Sequence, residues 1–241
     1  MKKIVVLLLL LTAAAGAWAA RPRVLVFYKT AGFYHKSIEV GLPAIYRLGV
    51  ENGFLVDSTK DSGAFTDANL KNYAAIIFLS TTGTLFDEAQ QKTLQQYVHN
   101  GGGIVGIHAA TDAEYDWPWY NQMMGAWFLS HPKQQTATLN IVDRKHISTR
   151  HLPAQWVRKD EWYNFKNISK DIKVLLTIDE KSYEGGKNGD FHPMAWYHNF
   201  EGGRVFYTEL GHVDESYTDP LFLKHILGGI RYALGKNKKW K

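Results

Sequence analysis

Apolar and polar positions alternate in blocks along the first half of the chain. Arg23–Lys29 ("RVLVFYK") is an apolar, β-branched run with the length of a buried strand. In "SIEVGLPAIYRLGVENG" the apolar residues Ile38, Leu42, Ile45 and Leu48 recur at helical spacing, and Gly53 ends the pattern. "FLVDST" predicts a second strand, and "TDANLKNY" a short helix capped by Thr66 or Asp67. "AAIIFLS" (Ala74–Ser80) is wholly apolar and predicts a third strand. "TLFDEAQQKTLQQYVHNGGG" has an amphipathic helix stopped at Gly101, and "GIVGIHA" gives a fourth strand. Unbroken apolar strands alternating with helices predict a parallel sheet covered on both faces.

The second half is patterned differently. "QTATLNIVD" alternates with period two, as an edge or antiparallel strand does, and "KVLLTID" predicts another strand. "HPMAWYHNF" and "GRVFYTEL" flank Gly202-Gly203 and predict an antiparallel hairpin. A final helix runs from Pro220 to Gly235. Between the two halves, "WPWYNQMMGAWFLSHPKQ" has the look of a long aromatic loop, an expected lid over the sheet edge. The carboxylates Asp160 and Glu161 in "VRKDEWYNF" suggest a solvated helix start. No repeat or linker divides the chain, so one domain over residues 21–241 is expected.

The first twenty residues change the compartment. Lys2 and Lys3, an apolar run from Ile4 to Leu11, and Ala17-Trp18-Ala19 have the three parts of a secretory signal peptide, expected over residues 1–20. The run is short for a membrane span, so export to a periplasm or the medium is expected, with no membrane insertion after cleavage. Removing the two leader lysines from 28 basic residues leaves 26 against 23 acidic ones, a net of +3. That balance gives no reason to expect a nucleic-acid partner. The sequence contains no Cys, which excludes disulfides, thiolate metal sites and a Cys nucleophile together.

Ligands of doubly wound sheets sit beyond the carboxyl ends of the strands. Those ends carry His35 after the first strand, Thr82 after the third, and His108 and Asp112 after the fourth. Glu209 and His212 follow the "RVFYTEL" strand. Three histidines on one edge mark a candidate site. The "GIHAA" spacing is that of a nucleophile elbow with His108 at its apex. The neighbouring aromatic segment adds Trp119 as a stacking platform for a sugar ring, and His131.

The motifs "KTAGFYHKSI", "GGGIVGIHAATD", "GAWFLSHP", "KDEWYNF", "HPMAWYHNFEGGRVFYTELGH" and "LGGIRYALG" occur in the order of the ThuA-like, trehalose-utilisation family. The chain resembles that family from about Arg23 to Gly235, with one departure: "HIS" at His146–Ser148 where the family has "HP". The resemblance implies a class I glutamine amidotransferase-like (flavodoxin-like) fold. That is a three-layer α/β domain with a parallel-rich sheet, helices on both faces, and an antiparallel hairpin. It also implies carbohydrate catabolism, on a disaccharide or a 3-keto-glycoside. Amidotransferases of this fold carry a catalytic Cys at the elbow; without one, thioester glutaminase chemistry cannot occur here.

For an oxidised sugar, His108 is the expected base and His212 or Glu209 its partner. His35, Thr82, Asp112, Trp119, His131 and Glu161 are the expected substrate contacts. The reaction could be of hydrolase, lyase or isomerase type. Two other readings of the same residues stay open. One is a non-catalytic sugar-binding module. The other is a metal-dependent hydrolase with zinc or another divalent ion on His35, His108 and His212. No motif specifies a cofactor; the expected partner is a small carbohydrate.

Overall fold

A computed structural model describes residues 21–235. The expected leader over residues 1–20 lies outside the described residues. The main sheet has nine strands: β1 (Arg23–Phe27), β2 (Leu55–Thr59), β3 (Ala75–Leu79), β4 (Gly103–Ile107), β5 (Gln135–Ile141), β6 (Gln155–Asp160), β7 (Lys173–Ile178), β8 (Pro193–Phe200) and β9 (Gly203–Thr208). Their order is β2-β1-β3-β4-β9-β8-β7-β5-β6. The first five in that order are parallel, and every later pairing is antiparallel. Two short two-stranded ladders accompany the sheet; one pairs Thr82–Gly83 with Asp112–Ala113.

Five helices complete the fold: α1 (Ile38–Asn52), α2 (Asp67–Leu70), α3 (Glu88–His99), α4 (Pro118–Met124) and α5 (Pro220–Leu234). They lie on both faces. On β9, Phe206 packs under Gly229 of α5, while its neighbour Tyr207 lies beside Gly106 and Met124 of α4 on the opposite face. This alternation is the period-two geometry of a strand buried on both sides. Strands β3 and β4 are buried at every residue, as their unbroken apolar runs predict. The caps follow the sequence. Thr66 accepts from the Asn69 N–H, Asp87 forms a capping box with Gln90, and Gly53 closes α1 at φ 75°.

Three expectations change. The antiparallel part extends beyond a hairpin to four strands, because β5, β6 and β7 join the same sheet. The aromatic segment is structured. Pro118 starts α4 at its first position, Gly125 ends it at φ 97°, and Trp127–Ser130 forms a short strand. Asp160 and Glu161 do not start a helix. Asp160 ends β6, whose alternation buries Trp156 and Asp160 and exposes Val157 and Lys159.

Candidate functional site

The carboxyl ends of β1, β4 and β9 carry the expected histidines to one place. β4 ends at Ile107, and His108 enters a short 3₁₀ turn with φ +51°. A non-glycine residue there is under backbone strain that the surroundings must hold. Tyr207 does so: its hydroxyl donates to the His108 carbonyl at 2.7 Å and pairs with Thr111 Oγ1 at 3.0 Å. Gly106 makes the approach possible, since a Cβ there would sit 2.5 Å from Met124 Sδ and 2.8 Å from the Tyr207 ring. The elbow is therefore kept, with an imidazole at its apex.

His35, His108, His212 and Glu161 each offer one nitrogen or oxygen, and these atoms all lie within 4.8 Å of one another. His212 Nδ1 is 3.0 Å from His108 Nε2 and 3.0 Å from Glu161 Oε2. His108 Nε2 is 3.5 Å from the same carboxylate oxygen. The His35 ring stands edge-on to His108 at 4.7 Å and to His212 at 5.2 Å. His131 reaches the other Glu161 oxygen at 3.2 Å from the rim. Tyr163 tilts over His108 at 4.6 Å between centroids and walls the site from the side.

Two supports orient this cluster. His108 Nδ1 lies 2.8 Å from the Glu209 main-chain oxygen, which only accepts, so Nδ1 carries the proton and Nε2 keeps its lone pair. The buried Asp160 carboxylate accepts from the main-chain N–H groups of Gly211 and His212 at 3.2 and 3.1 Å, and from Ser216 Oγ. Arg158 pairs with it at 3.2 Å. The His212 loop is thus anchored from β6.

Burial sets the charges. It pushes His35 down to about 2, assisted by the neighbouring His108 and His212, so His35 is neutral. Burial alone would raise the Glu161 carboxyl. Hydrogen bonds and positive charge from His108 and His212 outweigh it and hold Glu161 well below the usual carboxylate range. Glu209 goes the other way: burial, with the Asp160 charge nearby, raises its carboxyl well above the ordinary value. Burial also raises Asp112, which accepts from Tyr115 at 2.6 Å.

The remaining expected residues divide. Glu209 is fully buried; its carboxylate accepts from the Tyr163 N–H, and it acts on His108 through its backbone oxygen. It is a positioning residue. Thr82 is also structural. Its hydroxyl donates to the Phe33 carbonyl and accepts from the Gly32 N–H, shaping the loop that carries His35. Trp119 lies away from the site. Its indole donates to Glu201 at 2.8 Å and its ring stacks on Trp117 and meets Phe200. Glu201 sits in the β8–β9 turn, beside the start of β4, so Trp119 occupies the opposite end of the sheet from His108. The segment does not form the expected lid, because its apolar face is spent on helix packing. The departing His146 stacks on Tyr197 and bonds Ser148 Oγ, outside the cluster.

A cleft of about 320 Å³ borders the cluster, with His35 and His212 in its wall beside Phe33, Tyr34, Gln134 and Asp214. A larger cavity of about 590 Å³ lies at the other end of the sheet, around Gly101, Gly102 and Arg204. The smaller cleft is the one that adjoins reactive groups.

A parallel-rich sheet with an elbow at the end of a central strand, and imidazoles with a carboxylate where a thiol would stand, define a class I glutamine amidotransferase-like domain without amidotransferase chemistry. The chain belongs to the ThuA family, described as trehalose utilisation, which matches residues 23–233. Among solved structures it is similar to a ThuA-like protein from Bacteroides uniformis. The two share 28% identity over 93% of this chain and 96% of that one, with a TM-score of 0.78. A second ThuA-like protein, from Parabacteroides merdae, has 21% identity over 89% of this chain and 90% of that one, with a TM-score of 0.75. A GMP synthase protein from Thermoplasma acidophilum has the same fold at 12% identity, covering 87% of this chain and 92% of that one, with a TM-score of 0.53. No curated protein matches the chain.

Proposed function

We propose that this chain is an exported enzyme of carbohydrate catabolism that acts on a disaccharide or its 3-keto form, with proton transfer at the His108–His212–Glu161 cluster. The observation that carries this reading is the convergence of His35, His108, His212 and Glu161 beside a cleft in a trehalose-utilisation chain. A ketone acidifies the C–H bond next to it. In an elimination, the C–H electron pair forms the new double bond and the glycosidic oxygen leaves with its own bonding pair. His108 Nε2 holds the lone pair that takes the proton, and anionic Glu161 stabilises the resulting imidazolium. A donor on the rim, His131 or His212, returns a proton to the leaving oxygen. Water then adds to the double bond to complete net hydrolysis.

The test is incubation of the chain with matched glycosides and 3-keto-glycosides, followed by NMR for new sugar species. Turnover of the oxidised set alone is the expected result. Binding without turnover would replace this reading with a sugar-binding module. No described helix is long and apolar enough to cross a membrane. Export rests on the leader sequence, and the mass of the protein recovered from the periplasm or medium tests it, with an amino terminus near Arg21 expected.

A further inference from the structure

We propose that His35, His108, His212 and Glu161 form a binding site for one divalent transition-metal ion of the zinc type. Ligands at zinc distances of ~2.0–2.2 Å in tetrahedral array stand roughly 3.3–3.5 Å apart. The three closest separations in the cluster are 3.0, 3.0 and 3.5 Å. Imidazole nitrogens with one carboxylate oxygen form a donor set that suits zinc and its neighbours in the first transition row.

The proton inventory supports the same conclusion independently. With its Nδ1 proton on the Glu209 carbonyl, His108 presents a bare lone pair at Nε2. That lone pair faces a carboxylate oxygen 3.5 Å away, so two acceptors point at one another. A single proton, on His212 Nδ1, is shared between them at 3.0 Å each. His35 Nδ1 is buried with no partner at all. A cation in the midst of these atoms satisfies every one of them, whereas protons leave two groups short.

The outer supports are of the kind that metal-binding histidines have. A carbonyl fixes the tautomer and ring angle of His108, and the Asp160 carboxylate holds the main chain of His212. Strain at His108 is the backbone cost of aiming the imidazole at this point. His35 and His212 also line the cleft, so a ligand in the cleft could reach the ion. If the sugar reading also holds, the ion becomes the electrophile for a sugar oxygen, and proton acceptance moves to the rim, to His131 or Asp112. Metal binding itself does not depend on that reading.

Full-length protein stripped with a chelator and dialysed is titrated with Zn²⁺ by calorimetry and with Co²⁺ by visible absorption. One ion per chain and the d–d bands of a four- or five-coordinate cobalt site are expected. His35→Ala and His212→Ala, each checked for native circular dichroism, should weaken Zn²⁺ binding at least about 100-fold. His99→Ala, at the other end of the sheet, should not. Should either variant fail to fold, Glu161→Gln, which keeps shape and loses charge, replaces it and should weaken binding at least about 10-fold. The proposal is overturned if the stripped wild-type chain takes up no stoichiometric Zn²⁺, or if the folded variants bind it as tightly as wild type. Stoichiometric metal with no sugar turnover would leave this site standing and remove the reaction.

Discussion

His99 and Glu201 form a 2.6 Å ion pair at the amino-terminal end of β4 and β9, and His212 and Glu161 form a 3.0 Å pair at the carboxyl-terminal end. The residue types and lengths are alike; the surroundings differ. The first pair has side chains 50% and 38% exposed, and water competes for it. Such pairs contribute at most about 1 kcal/mol. The second has side chains 16% and 8% exposed, sits against two further imidazoles, and shifts the ionisation of its neighbours. One end of the sheet uses His–Glu chemistry as surface solvation; the other concentrates it in a dry cluster where a proton or a cation has large consequences.

The sharpest way to break that contrast is His108→Asn. Asn tolerates the left-handed backbone that His108 adopts, so the fold should survive. Turnover should fall by roughly 10²–10⁴-fold in the NMR assay. Intact turnover per folded molecule would make the cluster structural.

Asp160→Ala tests the scaffold behind the cluster. It removes the acceptor of the Gly211 and His212 N–H groups and leaves Arg158 buried. Urea unfolding should show a loss of about 3–5 kcal/mol. A loss below about 1 kcal/mol would mean that the His212 loop is held by other contacts.

His225 supplies a third environment: an imidazole buried completely between the Ser148 carbonyl and Thr208 Oγ1, with no carboxylate among its hydrogen-bond partners. Burial lowers it to about 3. Its folded pKa lies below the unfolded value near 6.5, so the unfolded chain binds the extra proton. Its contribution to stability is complete above pH ~6.5 and is lost as pH falls from there toward 3, with a slope of about 1.4 kcal/mol per pH unit. Wild type should lose more stability than His225→Gln between pH 6.5 and 5, measured by urea midpoints. Parallel curves would show that His225 is not the group responsible.

Trp119→Ala should lower stability by about 1–2 kcal/mol through lost packing on Trp117 and Phe200. It should leave sugar turnover and affinity unchanged, because the ring is at the far end of the sheet. A clear loss of sugar affinity would restore the idea of an aromatic lid. The smallest effect belongs to His99→Ala, within about 1 kcal/mol in stability and silent in turnover.

Much of the fold was legible because its signals are local. The apolar runs of β3 and β4, the caps at Thr66, Asp87 and Gly53, and the Gly202-Gly203 turn each act within a few residues. His35, His108 and His212 were legible as a site because strand ends of a parallel sheet share one edge. Glu161 was expected as a substrate contact, although its carboxylate pair suggested a helix start. The period-two pattern of "QWVRKD", with Trp156 and Asp160 on one face, was the signal for a strand, and two adjacent charges masked it. Trp119 misled for the opposite reason. Aromatic composition does not say which end of a sheet a helix covers; Pro118 and Gly125 had marked that helix.

The sequence by itself determined the alternating elements, the absence of any thiol chemistry, the elbow with His108 at its tip, and membership of a family through motifs in order. Each of these is carried by neighbours along the chain or by composition. Only the tertiary structure decided that Glu161 completes the cluster, that Asp160 anchors His212 across 52 positions, and that Glu209 works through its backbone oxygen. It also decided which His–Glu pair is wet and which is dry. Burial, and with it the local dielectric and the proton positions, is a property of the packed assembly of strands and not of any segment alone.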